Sequence, residues 1–165
     1  KDNANENNYN IKWDGATLTL KGAEITTIAE TPDYNLPQSA AICYDKATDL
    51  EIVLEGDNTV TGPGTSNNFV NSYGIYVYSD DSEVVTLTIS GSGSLAATGG
   101  DAATYSGESY GIYTGGNVII TGGDVTATVR SHSWSRPLSS RLMASTATSG
   151  STQLCTRFRT SGTRC

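Results

Sequence analysis

The sequence has little of what most often marks a catalytic, metal-binding or redox site. Its 165 residues include one histidine, His132, one methionine and three cysteines, and only 16% of them are charged. Three cysteines provide neither a disulfide framework nor a metal-ligand spacing, and the one histidine forms no Ser/His/Asp set. No apolar run reaches the ~18 residues that a transmembrane helix needs, so we expect no membrane insertion.

Positive charge is also scarce, and it is unevenly placed. The chain has 17 Asp and Glu against 10 Lys and Arg, a formal net charge of −7, which leaves no basic surface for nucleic acid. All 17 acids and all four lysines lie within residues 1–129, a net −13, whereas residues 130–165 carry six arginines and no acid. This break predicts two parts, a body (residues 1–129) and an atypical tail rich in Ser, Thr and Arg (residues 130–165).

The tail lacks the strand pattern of the body and contains no Ile, Val, Tyr or Asn. Two interpretations are open, and we favour the first, an aberrant or secondarily adapted tail. A shifted reading frame would produce such an aberrant C-terminus, and a natural cap would cover the unpaired strand edges at the end of the body. We assign the tail no chemistry under either interpretation.

The body contains an internal repeat. The pentapeptide SYGIY occurs at Ser72–Tyr76 and again 37 residues later at Ser109–Tyr113, and an older copy lies at Ala40–Tyr44. Each copy leads into a strand, a glycine turn and a second strand, in which apolar and polar residues alternate and β-branched residues dominate. Short strands that recur with a period above 30 residues predict an all-β protein, a right-handed single-stranded parallel β-helix (solenoid) of about four rungs.

In this register, equivalent residues of successive copies lie on top of one another. We expect three buried stacks, namely Ile42, Ile75 and Ile112; Leu20, Leu54, Ile89 and Ile120; and Ile25, Val60, Leu95 and Val125. A corner stack, where positive φ or close backbone approach is needed, is expected from Gly22, Gly56, Gly91 and Gly122. A β-sandwich is the rival fold, but it does not explain why whole blocks of sequence recur.

A resemblance to a known family rests on the strings ATLTLKGAEI, LEIVLEGDNTVTG, YGIYVYSDDSEVVTLTISGSGSLAATGG and YGIYTGGNVIITGGDVTAT. Over residues 11–129 the body resembles the pectate-lyase-like right-handed parallel β-helix domains of large secreted and wall-attached proteins of gut bacteria. The resemblance implies an extracellular protein, secreted or on the bacterial cell surface, that acts as an adhesin or carbohydrate-binding module. The acidic, cysteine-poor composition is typical of exported bacterial proteins and favours the same localisation.

Catalysis is the less favoured interpretation, although β-helices of this architecture include glycan-active enzymes. A lyase of this kind needs Lys or Arg as its base, and residues 47–129 contain neither. A hydrolase needs two or three carboxylates that converge on one face, whereas Asp49, Glu51, Glu55 and Asp57 follow strand alternation and a turn, which predicts a solvated edge. We therefore predict that the protein is not an enzyme and has no cofactor.

An acidic insertion provides the one candidate metal site. Asp80, Asp81 and Glu83 place three carboxylates within four residues, and carboxylate oxygens are the ligands that Ca²⁺ prefers. The insertion has neither EF-hand spacing nor the turn glycine of that motif. The alternative interpretation is a solvated hairpin tip that binds nothing.

The tyrosines give the candidate ligand site. Tyr76 and Tyr113 follow the buried isoleucines by one residue, so we expect them to point outward and stack, with Tyr73 and Tyr110 flanking the same edge. Flat rings in a row suit the apolar faces of sugar rings. Aromatic and polar side chains of the loops would complete the site, namely Phe69, Tyr105, Asn67, Asn68, Asp101 and Glu108.

Two functions remain open on these patterns. A glycan-binding surface module would bind a glycan or another host surface component through an exposed aromatic row. A structural stalk or spacer would instead use the rings to pin the loops to the coil, and the rings would then be buried. We expect a monomer in either case.

Overall fold

The computed structural model describes residues 9–26, 29–30, 38–64, 71–78, 84–101, 108–130 and 145–147. Within them every regular element is a β-strand, and no helix is long and apolar enough to span a membrane. The strands are β1 (Ile11–Trp13), β2 (Thr17–Lys21), β3 (Glu24–Ile25), β4 (Ala29–Glu30), β5 (Gln38–Tyr44), β6 (Leu50–Glu55), β7 (Asp57–Thr61), β8 (Asn71–Val77), β9 (Thr86–Gly91), β10 (Ser94–Thr98), β11 (Ser109–Thr114), β12 (Asn117–Ile120), β13 (Asp124–Thr128) and β14 (Ser145–Ala147).

Three sheets collect these strands. The first sheet has the order β1-β2-β6-β9-β12, the second β14-β13-β10-β7-β3 and the third β11-β8-β5-β4. Neighbours pair in parallel except at the outermost positions of β1, β4 and β14, which pair antiparallel. Each SYGIY-type copy starts a strand of the third sheet, and the next two strands join the first and second sheets. The chain is therefore all-β and built on parallel sheets, as the repeat predicts.

The third sheet has the register that the SYGIY repeat predicts. Ile75 of β8 pairs with Ile42 of β5 on one side and with Ile112 of β11 on the other. Ile75 is fully buried, and both partners pack partly buried against the same core. The predicted isoleucine stack is confirmed.

The first sheet departs from the predicted register between β6 and β9. Leu20 pairs with Leu54 as predicted, but Leu54 pairs with Gly91, and Ile89 lies opposite Ile52. The predicted stack is therefore wrong at its middle step. Because side chains alternate with a period of two, a shift of two residues still places every apolar side chain of the strand on the core side.

The second sheet shows the same shift of two residues. Ile25 pairs with Val60, and Leu95 pairs with Val125, as predicted. The step between these pairs is wrong, because Val60 lies opposite Ala97 rather than Leu95. In both sheets the strands of the second and third copies therefore pair 37 residues apart, as Ile52 with Ile89 and Val60 with Ala97, rather than the predicted 35.

The shift does not arise in the turn between β9 and β10, because Leu54 to Val60 and their partners Gly91 to Ala97 span the same number of residues. It arises before β9, since Tyr44 still lies opposite Val77, only 33 residues further along the chain. The two preceding copies turn on single glycines, Gly22 and Gly56, both at positive φ, whereas the third copy turns on Gly91-Ser92-Gly93. A Cβ added to Gly93 would lie 2.3 Å from the carbonyl oxygen of Gly56, so the second glycine of the turn occupies the tight place beside Gly56. The predicted corner stack of glycines therefore breaks after Gly56.

A buried asparagine of β7, Asn58, links three repeats beside the glycine turns. Its side-chain Oδ1 accepts a hydrogen bond of 2.8 Å from the N–H of Ala23, and its Nδ2 donates bonds of 3.0 Å to the carbonyls of Gly56 and Ser94. Asn58 is only 1% exposed. A polar side chain is stable at this depth only when its donors and acceptors are paired, which these contacts achieve.

Part of the tail joins the sheets. Strand β14 pairs antiparallel with β13, with Ala147 opposite Val125. Residues 131–144 and 148–165 lie outside the described residues. The pairing places part of the tail at the outer edge of the second sheet, where a cap would lie.

Candidate functional site

Tyrosines of β8 and β11 form a cluster apart from the apolar core. Strict alternation would place Tyr73 and Tyr76 on opposite faces of β8, since they lie three positions apart along the strand. The pairing of β8 with its neighbours skips Gly74, which lies between Tyr73 and Ile75. Tyr73 and Tyr76 consequently share one cluster, while Ile75 packs in the core.

The backbone at Gly74 leaves no space for a side chain. A Cβ added there would lie 2.5 Å from the carbonyl oxygen of Gly111 and 3.0 Å from that of Thr98. Gly111, the equivalent residue of the next copy, is closer still, with 2.3 Å to the carbonyl oxygen of Ala97. The glycine of YGIY therefore permits the close backbone approach that holds the two tyrosines of each copy together.

Four rings make up the tyrosine stack, which consists of Tyr73, Tyr76, Tyr110 and Tyr113. Tyr73 stacks on Tyr110 with 5.4 Å between ring centroids and 8° between planes, and Tyr76 stacks on Tyr113 at 5.4 Å and 9°. These two stacked pairs are the two columns of the stack. Rings of different columns meet at steep angles, with centroids 4.9–5.5 Å apart. Stacked and edge-on contacts are both favourable for aromatic rings. The predicted stacking of Tyr76 on Tyr113 is confirmed.

The rings differ in exposure, which the sequence does not predict. Tyr73 is 2% and Tyr76 6% exposed, whereas Tyr113 is 37% exposed and Tyr110 is half-buried. The predicted outward row is therefore not evenly open. In the described residues no strand of the third sheet pairs beyond β11, so the rings of the last copy lack a next ring to cover them.

The phenol oxygens of one column bind to polar side chains two residues earlier. The Nδ2 of Asn71 donates to the Oη of Tyr73 at 3.0 Å, and the Oη of Tyr110 donates to the carboxylate of Glu108. The Oδ1 of Asn71 also accepts a bond of 2.7 Å from the N–H of Glu108. Asn71 was not among the predicted site residues, although the shared spacing to the tyrosines of both copies is visible in the sequence.

The environment keeps two of the phenols protonated. Burial raises the pKa of Tyr73 well above its usual range, and neighbouring charges add to the effect while the bond from Asn71 opposes it. Burial also raises the pKa of Tyr110, and its hydrogen bond to the Glu108 carboxylate raises it further. Both phenols therefore keep their proton at neutral pH and are not nucleophiles.

The columns end differently in the first copy. Ala40 pairs with Tyr73, and Cys43 pairs with Tyr76, so the rings of β8 rest on two small side chains. Burial raises the pKa of the Cys43 thiol, and the nearby Asp45 carboxylate adds to this effect. The thiol is thus kept protonated and packs as a small apolar group.

A buried hydroxyl fixes the backbone beside the stack. The Oγ of Ser72 donates to the carbonyl of Pro63 and accepts from the N–H of Gly100, both at 2.7 Å. Ser109 lies in register with Ser72, and its Oγ accepts a bond of 3.2 Å from the N–H of Arg130. The residue before each tyrosine therefore ties neighbouring repeats together and helps to hold the rings in place.

The remaining predicted site residues cannot be placed. Phe69, Tyr105, Asn67 and Asn68 lie outside the described residues, as do the candidate calcium ligands Asp80, Asp81 and Glu83. In the part of the chain that is described, no three Asp, Glu, His or Cys side chains lie close enough together to hold a metal ion. The role of the loop residues in ligand binding and the calcium site both stay predictions.

The acids that were considered for hydrolysis all make contacts with a neighbouring strand or loop. Their partners are Thr86 N–H for Asp49 (2.7 Å), Ser90 Oγ for Glu51 (2.8 Å), Lys21 Nζ for Glu55 (3.4 Å) and Ser94 Oγ for Asp57 (2.8 Å). The predicted edge is accordingly cross-linked by hydrogen bonds and an ion pair.

Comparison with protein-family models, with curated proteins and with solved structures found no match to this chain. The resemblance to pectate-lyase-like domains consequently stays a prediction from the sequence. The site has to be interpreted from its own geometry.

Proposed function

We propose that the protein is a non-enzymatic extracellular module, secreted or on a bacterial cell surface, that binds glycan on the tyrosine stack. The observation that carries the proposal is the exposure of the two rings that the last copy of the repeat contributes to the stack. Tyr113 and Tyr110 keep ring surface open while Tyr76 and Tyr73 support them from behind. Rings held in this way bind a sugar face without losing side-chain freedom, which lowers the entropic cost of binding.

The proposal includes a finer description of the fold. The body would be a right-handed parallel β-helix of about four rungs, of the pectate-lyase-like kind. Its support is the strand order, in which each of the three sheets takes its parallel strands in the order of the chain. A coil of this kind would present the tyrosines on one side of a rigid rod.

Binding through one module is expected to be weak. An aromatic contact contributes on the order of 1 kcal/mol beyond its buried area. In the tyrosine stack only the rings of Tyr113 and Tyr110 are open to a ligand. We therefore expect a dissociation constant of roughly millimolar to high micromolar. Tight attachment to a host glycan or another surface component would then require many copies on one cell surface.

The decisive experiment compares two exposed tyrosines in the full chain. Tyr113→Ala removes the open ring of the stack, whereas Tyr78→Ala removes a ring that is similarly exposed (40% against 37%) and lies outside the described ring contacts. On an array of immobilised glycans, we expect Tyr113→Ala to lose binding by about tenfold and Tyr78→Ala to bind like the parent. Equal binding by both variants would refute the proposed site.

The alternative is a structural stalk or spacer without a ligand of its own. The near-complete burial of Tyr73 and Tyr76 favours this alternative, because the two rings contact each other and leave almost no surface for a ligand. For a spacer, Tyr113→Ala would change no binding on the array, and the four rings would contribute only to stability. Unfolding of the same variant in urea therefore reports on the second role independently of the first.

We also propose that the body has no catalytic activity. The support is that each acid considered for hydrolysis is engaged with a neighbouring strand or loop and that no described group of acids is arranged to hold a metal. Incubation of the full chain with neutral and acidic polysaccharides, with and without calcium, should release no reducing ends and form no unsaturated products. Release of either would overturn this part of the proposal.

A further inference from the structure

Glu108 introduces a charge where the other copies are neutral. The residues directly before Ser39, Ser72 and Ser109, which lie in register, are Gln38, Asn71 and Glu108. The carboxylate therefore belongs to the last copy alone, which is also the copy whose tyrosine rings are open. Charge and aromatic surface coincide at one end of the stack.

The backbone of Glu108 is fixed on both sides. Its N–H donates to the Oδ1 of Asn71 at 2.7 Å, and its carbonyl accepts from the N–H of Ser72 at 2.8 Å. One carboxylate oxygen, Oε2, accepts the bond from Tyr110. The carboxylate is exposed, so it retains acceptor capacity toward solvent beside the phenol.

No described cation neutralises this carboxylate. The nearest ion pair along the chain joins Arg130 to Asp101 at 4.0 Å between Nη1 and Oδ1, and no described salt bridge includes Glu108. The body as a whole carries a net −13. An anionic ligand would be repelled, and a cationic one would be attracted, at this end of the stack.

An aromatic face beside a carboxylate is complementary to an ammonium group. The electron-rich face of a tyrosine attracts a cation, and a carboxylate accepts a charge-assisted hydrogen bond from it. A sugar that carries a free amine combines this group with the apolar ring face that stacks on tyrosine. A neutral sugar makes only the second contact.

Resting on the proposed function, we propose that the ligand class of the tyrosine stack is an amino sugar with free, protonated amines, and that Glu108 determines this specificity. Glu108 would accept the ammonium group while Tyr113 and Tyr110 stack on the sugar ring. The inference narrows the ligand class from glycans in general to cationic ones, on the charge of the last copy.

The test uses two oligosaccharides that differ only in acetylation, a β-1,4-linked glucosamine oligomer with free amines and its fully N-acetylated counterpart. Binding to the full chain is measured by calorimetry at a pH at which the amines are protonated. We expect the free-amine oligomer to bind about tenfold more tightly, as one charge-assisted contact implies. Added salt should reduce this preference.

Two charge-neutralising variants locate the effect. Glu108→Gln keeps the side-chain shape and an acceptor for the Tyr110 hydroxyl, and we expect it to bring the two oligomers close to equal affinity. Glu24→Gln removes one exposed acid from β3 of the second sheet, whereas Glu108 directly precedes β11 of the third sheet, and we expect this control to keep the tenfold preference. An equal loss in both variants would assign the preference to the overall charge and overturn the role of Glu108.

The outcomes separate the inference from the function on which it rests. If both oligomers bind the parent equally and Tyr113→Ala weakens both, the stack binds glycan and the inference about amines is wrong. If neither oligomer binds, the inference is wrong, and the glycan array with Tyr113→Ala still decides the proposed function. If only the free-amine oligomer binds and Glu108→Gln abolishes its advantage, both stand.

Discussion

Replacement of Asn58 tests whether hydrogen bonds or apolar contacts hold successive repeats together at the glycine turn. Its side chain accepts from Ala23 in the preceding repeat and donates to Ser94 in the following one. In the second sheet it occupies a column with Leu95 and Val125, both apolar. Sequence logic alone would place a leucine or valine here, and the structure gives the reason for the asparagine.

The cost of each replacement follows from the groups left behind. Asn58→Ala leaves the buried N–H of Ala23 without its acceptor, and an unsatisfied buried group costs about 1–3 kcal/mol. With the small cavity added, we expect a loss of about 3 kcal/mol in the free energy of unfolding. Asn58→Leu fills the cavity but leaves the same N–H unpaired, so we expect a loss of about 2 kcal/mol.

Asn58→Asp gives a pH-dependent signature. The introduced carboxylate would face the carbonyl oxygens of Gly56 and Ser94, which now accept from the amide, and we expect a loss of about 4 kcal/mol at neutral pH. Burial and these carbonyls should raise the pKa of the introduced carboxyl in the folded state above the unfolded value of about 3.9. Its protonated form is then favoured by folding, so the variant should lose stability as the pH rises and regain it as the pH falls.

Equilibrium unfolding in urea measures these differences directly. Thr59→Ala is the matched control, because Thr59 is the next residue of the same strand and its side chain is exposed, so the change should lie within about 0.5 kcal/mol. A leucine variant as stable as the parent, or an aspartate variant without pH dependence, would show that the hydrogen bonds of Asn58 contribute nothing net. The account of this turn would then be wrong.

Three further predictions follow from other parts of the molecule. Ser72→Ala removes a buried hydroxyl with two bonds of 2.7 Å and should cost about 2 kcal/mol in urea unfolding, whereas Ser90→Ala, at a half-buried site, should cost less. In a spectrophotometric titration Tyr73 and Tyr110 should ionise last, because their pKa is raised in the folded state. Folding thus favours the protonated phenols, so the free energy of unfolding should fall as the pH rises above about 10. Ionisation of all tyrosines in one step would contradict this prediction. Deletion of residues 131–165 removes β14 from the edge of β13 and should lower the melting temperature and increase light scattering, whereas unchanged values would support an aberrant tail.

The sequence predicts the class of fold and the register of one sheet. The SYGIY repeat fixes the third sheet because its Tyr, Gly and Ile are distinct from one another, so only one alignment of β8 with β11 superposes them. The strands of the first sheet are alternating apolar and polar residues without such a marker. Their pattern is unchanged by a shift of two residues, and the sequence therefore cannot distinguish Ile89 beside Ile52 from Ile89 beside Leu54.

The candidate site was predicted in its rings but not in its exposure. The stacking of Tyr76 on Tyr113 follows from register alone, whereas the burial of Tyr73 and Tyr76 depends on contacts between rings of different columns. These contacts require the irregularity at Gly74, which alternation does not reveal. The role of Asn58 was missed for a similar reason, because an asparagine in the sequence beside a glycine turn is expected at the surface.

The position of the open rings bears on which of the two functions is the better one. In a stalk built only for length, the last repeat would be expected to resemble the others, with neutral residues beside its tyrosines. The last copy instead differs at the position of Glu108, where Gln38 and Asn71 stand in the earlier copies. A carboxylate placed beside half-exposed rings gains nothing from packing, since it remains exposed, and it adds to the repulsion within a body that already carries a net −13. Its single bond to Tyr110 could be made by an amide, as Asn71 makes one to Tyr73. A ligand that is cationic at this point would offset that cost, which favours binding over length as the role of this end of the body.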